Sequence, residues 1–461
     1  MMRQFNVLLT ASLSLFLLVA CKKSNIGAEI PEVVTPVPVP PTDTVKDPVV
    51  VGRIIPVGLG SGNLTIDGST LGTKANDQII IKGGTYSSIN IKNIRLADGS
   101  RAFIKNDGLV EVSGNGSQMR LSNLNNVTIS GDGTKNISKG FSFKNMSNRA
   151  VQMDGNIDNF TFQNAYFENI SDYVIAYNST RAYNGSADSY AKALKFSQLE
   201  CSNTASLIYF PATVNSGGIT GLVKGLEISY IIFNNAPIVS SVVNLGAAED
   251  YDIHHNVIKN INTQNNNHNG IFQLNGNGKF HNNLVRDHQG NAVRSWLFSV
   301  GSATKEVQIY NNIVFNSRKY SGFEVQGFSN LVVPGVTSFA NAKVFNNTCG
   351  SLNMSQDWVG VVVDVYDLLG GKCEVFNNLG FNFPTPSNNN MIWSQQSAIP
   401  AVASNNLYFA NSAAAGITDE VKFELSGSSS AKKAAVTTKM VLTEDYYGNK
   451  RGATYSIGAV E

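Results

Sequence analysis

All five histidines of this 461-residue chain fall between positions 254 and 288: His254, His255, His268, His281 and His288. Lys259 and Arg286 stand among them. Imidazoles beside cations are suited to removing a weakly acidic proton and stabilising the anion left behind. A lysine can serve as the base where neighbouring positive charge and partial burial depress its pKa. Lys259, Arg286, His254 and His281 are therefore the candidate catalytic residues. Tyr310, Phe345 and Phe376 occupy the same phase as His254 and His281. With His268 they form a candidate binding set, since aromatic rings offer flat apolar surface to a sugar ring. The same strip is also consistent with an outer face covered by loops or by the C-terminal segment, and Lys259 and Arg286 with solvated surface charge.

Other chemistries are less well served. Asp250 and Asp252 share one strand face, without a second carboxylate pair. Asp287 and His288 are adjacent, and adjacent residues on a strand point apart. His254-His255 is at most a weak metal site, no acidic cluster supports calcium, and no cofactor is evident. No nucleophile elbow or phosphate-cradling glycine loop occurs.

The elements that must position these residues recur. The phrase Ile309-Tyr310-Asn311-Asn312-Ile313-Val314 returns as Ile253-His254-His255-Asn256, Phe280-His281-Asn282-Asn283, Val344-Phe345-Asn346-Asn347, Val375-Phe376-Asn377-Asn378 and Ala403-Ser404-Asn405-Asn406. Each phrase places an asparagine three residues after its first apolar residue: Asn256, Asn283, Asn312, Asn347, Asn378 and Asn406. Successive copies stand between 27 and 35 residues apart, one supersecondary unit each. Short β runs with glycine and asparagine turns fill the rest, as in 77–86, 127–133 and 141–143. The pattern predicts an all-β chain, a right-handed parallel β-helix in which equivalent residues stack in columns about 4.8 Å apart. In such a solenoid the six asparagines form a ladder that satisfies buried amides. The long polar segments 178–192, 263–270, 318–341 and 351–372 project from the coils and shape a binding face.

Composition agrees with an exported body. Charged residues make up 15% and the net charge is +2, which argues against a nucleic-acid partner. Arg3 and the apolar run from Val7 to Ala20 read as an export signal over 1–20, too short to span a membrane. Six prolines between 31 and 48 make residues 21–50 a stiff tether. The β-helix then occupies 51–444 and a closing segment 445–461. Cys201 and Cys349 take phases held elsewhere by buried aliphatic residues, so they read as small core hydrophobes rather than a disulfide framework.

Three resemblances follow from these residues. Leu18-Val19-Ala20-Cys21 resembles a bacterial lipobox, which implies lipidation of Cys21 and a membrane partner through that lipid. The asparagine phrases resemble the repeats of the pectate-lyase-like superfamily over roughly residues 75–410, and the stretch Asp445-Tyr446-Tyr447-Gly448-Asn449 resembles the ending of many exported bacterial β-helix proteins. The cadence of 77–86 and 107–112 is similar to the opening coils of the alginate lyase and chondroitinase B family, which implies a lysine base and an arginine on neighbouring coils, roles that Lys259 and Arg286 match. The expectation is a monomeric lipoprotein of the cell envelope, at the outer membrane or cell surface, that binds an acidic polysaccharide and degrades it by β-elimination. The alternative is a non-catalytic envelope or adhesion rod.

Overall fold

The computed structural model describes residues 52–384, 391–395 and 399–461. The expected export signal, Cys21 and the expected proline-rich tether lie outside the described residues. Among the described residues no helix is long and apolar enough to cross a membrane.

Among the described residues thirty strands form one continuous sheet, and the pairings within it are parallel. One coil shows the plan. Asn291–Leu297 lies on a first face, Glu306–Tyr310 on a second and Ile313–Ser317 on a third. The chain then rejoins the first face at Phe323–Gly327, directly against Asn291–Leu297. The parallel β-helix follows from alternation: residues of one parity point inward and stack. Ile228, Ile253, Phe280, Ile309, Val344 and Val375 form such a column, each fully buried. Between the first and second faces the chain turns tightly at Gly276, whose φ is +130°. A Cβ there would lie 1.8 Å from the carbonyl oxygen of Ala248, so only glycine fits.

The turn between the second and third faces is made by the asparagine pairs, and the two members do different work. The second asparagine points inward. Asn256 donates to Asn283 at 2.9 Å, Asn283 to Asn312 at 3.1 Å, Asn312 to Asn347 at 2.9 Å, Asn347 to Asn378 at 2.9 Å and Asn378 to Asn406 at 3.0 Å. Each oxygen also accepts the backbone N–H of the ladder residue one coil earlier. The first asparagine supplies the left-handed backbone that the corner requires, with φ between 51° and 55° at Asn282, Asn311, Asn346, Asn377 and Asn405. His255 and Tyr230 fill that position in the two preceding coils.

Past Phe409 the chain leaves the coils, earlier than the boundary at 444 expected from sequence. Residues 411–461 return along the side of the solenoid that bears the asparagine corners, rather than forming a further rung. The first asparagines hold this return. Asn282 donates to the carbonyls of Asp445 and Tyr446, Asn311 to Glu444, Asn346 to Ser456 and Gly458, and Asn377 to Val436. Ile417, Phe423, Tyr446, Ile457 and Val460 bury Leu284, Ile313, Phe315, Leu379 and Phe381 of the third face. Arg451 is buried beneath the return and donates to Asn311 Oδ1 and to the carbonyls of Gly458 and Ala459.

Cys201, Cys349 and Cys373 are free and buried, and burial pushes their thiols up. His288 is buried in the core, in register with Ile261 and Ser317, and its ring nitrogens make no well-formed hydrogen bond. Burial drives its pKa down to about 4. The unfolded chain takes up a proton near pH 6.5 that the folded chain refuses, so stability is whole above pH 6.5 and drains as pH falls toward 4. One such group costs about 3 kcal/mol across that window. His288→Leu should flatten the acid side of a plot of melting temperature against pH. An unchanged slope would assign the acid sensitivity to other groups.

Candidate functional site

The sequence-expected residues separate in space. His254, His281, Tyr310, Phe345 and Phe376 do form one column, with ring centroids 5.1, 4.7, 5.0 and 5.0 Å apart. The column is not an open strip. Phe345 is 1% exposed and Phe376 fully buried, and Lys439 of the C-terminal return lies over the Phe376 ring. These two phenylalanines are packing residues, which corrects their expected role in binding. His254 Nε2 lies 3.5 Å from Glu227, and His281 Nε2 2.9 Å from Asp252. Burial works against the charge on Glu227, but hydrogen bonds from His254, Lys195 and Ser229 outweigh it and hold that carboxyl down to about 2.

Lys259 and Arg286 pair on adjacent rungs, but on the third face, around the asparagine corner from His254 and His281. Offsets along the phrase do not reveal the corner, so two faces look like one patch. Arg286 is also occupied. Its Nε lies 3.0 Å from Asp287, its guanidinium covers Phe315 at 5.3 Å, and its Nη1 donates to the Glu420 carbonyl of the return. The four expected catalytic residues therefore do not converge on one reacting atom.

A different set converges on the first face. Successive strands bring Arg294, Glu324, Asp364 and Trp393 into register as one outward column. Trp296, Gln326, Tyr366 and Gln395 form a second column beside it. Arg294, Glu324, Asp364, Gln326, Tyr366 and Gln395 of these columns floor a cavity of about 560 Å³. The long segments expected to shape a binding face supply its walls: His268 from 263–270, Phe328 and Ser329 from 318–341, and Trp358 and Asp367 from 351–372. His268, named from the sequence as a binding residue, is the one expected site residue that lines it.

At the centre are two carboxylates on successive rungs, each 3% exposed. Glu324 accepts from Arg294 Nε at 2.6 Å, and its other oxygen lies 3.0 Å from His268 Nε2. Arg294 also donates to the His268 carbonyl at 3.0 Å. His268 Nε2 lies 3.0 Å from Asn291 Oδ1 as well, and the ring stacks on Tyr320 at 4.1 Å, so the imidazole is held at its edge and on its face. Asp364 accepts from Gln395 at 3.1 Å. Burial, and then the charge of Glu324, pushes the Asp364 carboxyl up to about 7. One ligand atom each from His268, Glu324 and Asp364 lies within 4.8 Å of the others, a grouping able to hold a divalent cation. The sequence reading found no such cluster.

These residues escaped the sequence reading for a physical reason. Arg294, Glu324, Asp364 and Trp393 stand 11, 12, 17 and 15 residues after their ladder asparagines. The loops between the third and first faces vary in length, so no constant offset aligns them. The signal that does exist is local: Arg294-x-Trp296, Glu324-x-Gln326, Asp364-x-Tyr366 and Trp393-x-Gln395 each put polar or aromatic residues on alternate positions of a short strand.

No family model and no curated protein matches the sequence. Among solved structures the chain is similar to a PL6 family polysaccharide lyase from Pseudopedobacter saltans, at 11% identity and a TM-score of 0.40, covering 82% of this chain and 99% of that one. It is similar to pectate lyase Pel9A at 13% identity and a TM-score of 0.38, covering 90% and 97%. It is also similar to a GH136 lacto-N-biosidase from Eubacterium ramulus at 8% identity and a TM-score of 0.37, covering 73% and 62%. Likenesses this distant carry no chemistry to the present chain.

Proposed function

We propose that this β-helix binds a polysaccharide on its first face and hydrolyses it, with Asp364 as proton donor and Glu324 as nucleophile. The observation that supports this most is the pair of buried carboxylates on neighbouring rungs, facing an aromatic-rimmed cavity. Their closest oxygens lie within 4.8 Å. That is nearer to the roughly 5–5.5 Å of retaining glycosidases than to the roughly 6.5–9.5 Å of inverting ones. In the first step a Glu324 oxygen bonds to the anomeric carbon while the glycosidic C–O bond breaks, and Asp364 gives its proton to the leaving oxygen. In the second step water displaces Glu324 and returns a proton to Asp364. Arg294 orients Glu324, and Trp358 offers apolar surface to the sugar ring.

The experiment is incubation of the protein with a panel of neutral and acidic polysaccharides, read by new reducing ends and by proton NMR of the first anomer formed. Retained configuration is expected. Inverted configuration would reject Glu324 as the nucleophile.

A second reading is favoured by the grouping of His268, Glu324 and Asp364. A divalent cation held by these three residues would neutralise a uronate carboxylate and acidify the proton beside it, and cleavage would then be β-elimination, in keeping with the expectation of an acidic substrate. Unsaturated uronate absorbance on alginate or pectate, lost on chelation and restored by added calcium, would select this reading. No cleavage of any kind would leave the non-catalytic envelope rod. In either catalytic reading we place the body outside the cell, anchored by a lipid on Cys21. Release of the protein from membranes in a Cys21→Ser strain would test that anchor.

A further inference from the structure

The outward column that carries the carboxylates does not stop at the cavity. It continues over earlier coils as Gln273, Asn244 and Tyr209, each directly paired with the next. Tyr209 stacks on Tyr173 with ring centroids 4.1 Å apart and planes 8° from parallel, and both rings remain partly exposed. Between this ring pair and Arg294 the column carries only amides. Gln273 donates to Asn275 of the neighbouring column at 2.9 Å, which orders its amide. No charged side chain belongs to that stretch of the column, and Arg294 is engaged by Glu324.

One side of this face is walled. Tyr190, Ile219, Leu222, Phe298 and Leu331 pack into an apolar cluster formed by loops of successive coils. Trp296 stacks on Phe328 at 4.3 Å, which joins this wall to the rim of the cavity. The result is a track with aromatic rings at both ends: Tyr209 at one, and Trp393 with Trp358 at the other, 6.0 Å apart.

The track is lopsided about its chemistry. Tyr209 lies four rungs before Glu324, about 19 Å at about 4.8 Å per rung, whereas Trp393 lies one rung beyond Asp364.

We infer that the first face binds an uncharged linear glycan along this track, with Tyr209, backed by Tyr173, as a distal stacking site, so that cleavage releases short fragments from one end of a long chain. The occupant follows from the surface. Amides suit sugar hydroxyls and the rings suit pyranose faces. The amide stretch carries no cation, and the cations at its ends are already paired, Arg149 over Tyr173 with Asp172 and Lys319 over Trp358 with Asp357, which leaves little to draw a polyuronate. The inference rests on reading the cavity as a glycan site, and adds the direction, length and charge class of the substrate.

The test uses uncharged xylo-, manno- and gluco-oligosaccharides and charged oligogalacturonates, each of disaccharide and hexaose length, as probes, by calorimetry on the full protein and on its Asp364→Asn form. One hexaose series is expected to bind. Tyr209→Ala should then weaken hexaose binding about tenfold, Tyr209→Phe should retain it, and disaccharide binding should be unchanged in both. Short fragments should dominate the products from the first minutes. Hexaose binding that survives Tyr209→Ala but is lost in Trp358→Ala would overturn the distal site and leave the cavity reading standing. Binding of oligogalacturonate alone would overturn the uncharged substrate, and binding of no glycan at all would overturn both readings.

Discussion

Asp364→Asn is expected to lower turnover by about 10²–10⁴-fold while raising the melting temperature above pH 7, a combination that few structural lesions produce. The loss follows because the amide has no proton to give to a leaving oxygen. The gain follows from linkage. The Asp364 carboxyl is pushed up to about 7 in the folded chain, whereas an unfolded aspartate titrates near 3.9. Stability from this group is whole below pH 3.9 and is lost as pH rises to 7, because folding then buries a charge beside Glu324. The asparagine carries no charge at any pH, and its side-chain oxygen can still accept from Gln395. In the native protein the same ionisation removes the proton donor, so the basic limb of the pH–rate profile should fall near 7. The measurements are kcat/KM on a cleaved polysaccharide and melting curves at pH 5 and pH 8. Retained turnover in the variant would exclude Asp364 as the acid. A lower melting temperature at pH 8 would show that its carboxylate is welcome where it is, and the raised pKa would be wrong.

The second large effect is structural. Asn312→Ala should remove the centre of the ladder. Its oxygen accepts the backbone N–H of Asn283 at 3.0 Å and the Asn283 side chain at 3.1 Å, and its amide donates to the Phe280 carbonyl at 3.0 Å and to Asn347 at 2.9 Å. All of these groups are buried, and each orphaned donor or acceptor costs about 1–3 kcal/mol. A loss of about 3–6 kcal/mol is expected, visible as a lower denaturation midpoint and as faster amide exchange at Asn283 and Ile313. Asn311→Ala makes the control. It strains a left-handed corner and frees two holds on the C-terminal return, the bond to the Glu444 carbonyl and the one from Arg451, but leaves the ladder intact. If Asn311→Ala proved as damaging as Asn312→Ala, the division of labour within each pair would be mistaken.

Much of the fold was legible because a solenoid repeats its constraints. One asparagine at a fixed offset from an apolar residue predicted the ladder, and the structure places all five links of it. The role of the first asparagine of each pair is not legible, since a left-handed corner and a docking donor leave no hydrophobic pattern. The site was only half legible. Inter-phrase segments were expected to shape the binding face, and His268, Phe328 and Trp358 come from them. The sequence supplies a register only beside the phrases, and that register points to Lys259, Arg286, His254 and His281 instead. Glu324 and Asp364 are 40 residues apart and meet through a pairing that loops of unequal length conceal.

The C-terminal return also bears on how the chain reaches its native state. Coils contact mainly their neighbours, so they can zip from any nucleus with short loop closures. Docking the return is different in kind: Asn282 meets Asp445 across 163 residues and Asn311 meets Arg451 across 140. Those closures must wait until the coils beneath exist, because the corner asparagines that receive the return are created by coil stacking. The apolar stripe from Leu284 to Phe381 is then bare during the interval, sticky to other chains and open to proteases. Folding should accordingly show a fast phase that builds the ladder and a slower one that covers this stripe. Chains shortened before Tyr446 would complete the first phase, then aggregate through the surface that the second was meant to hide.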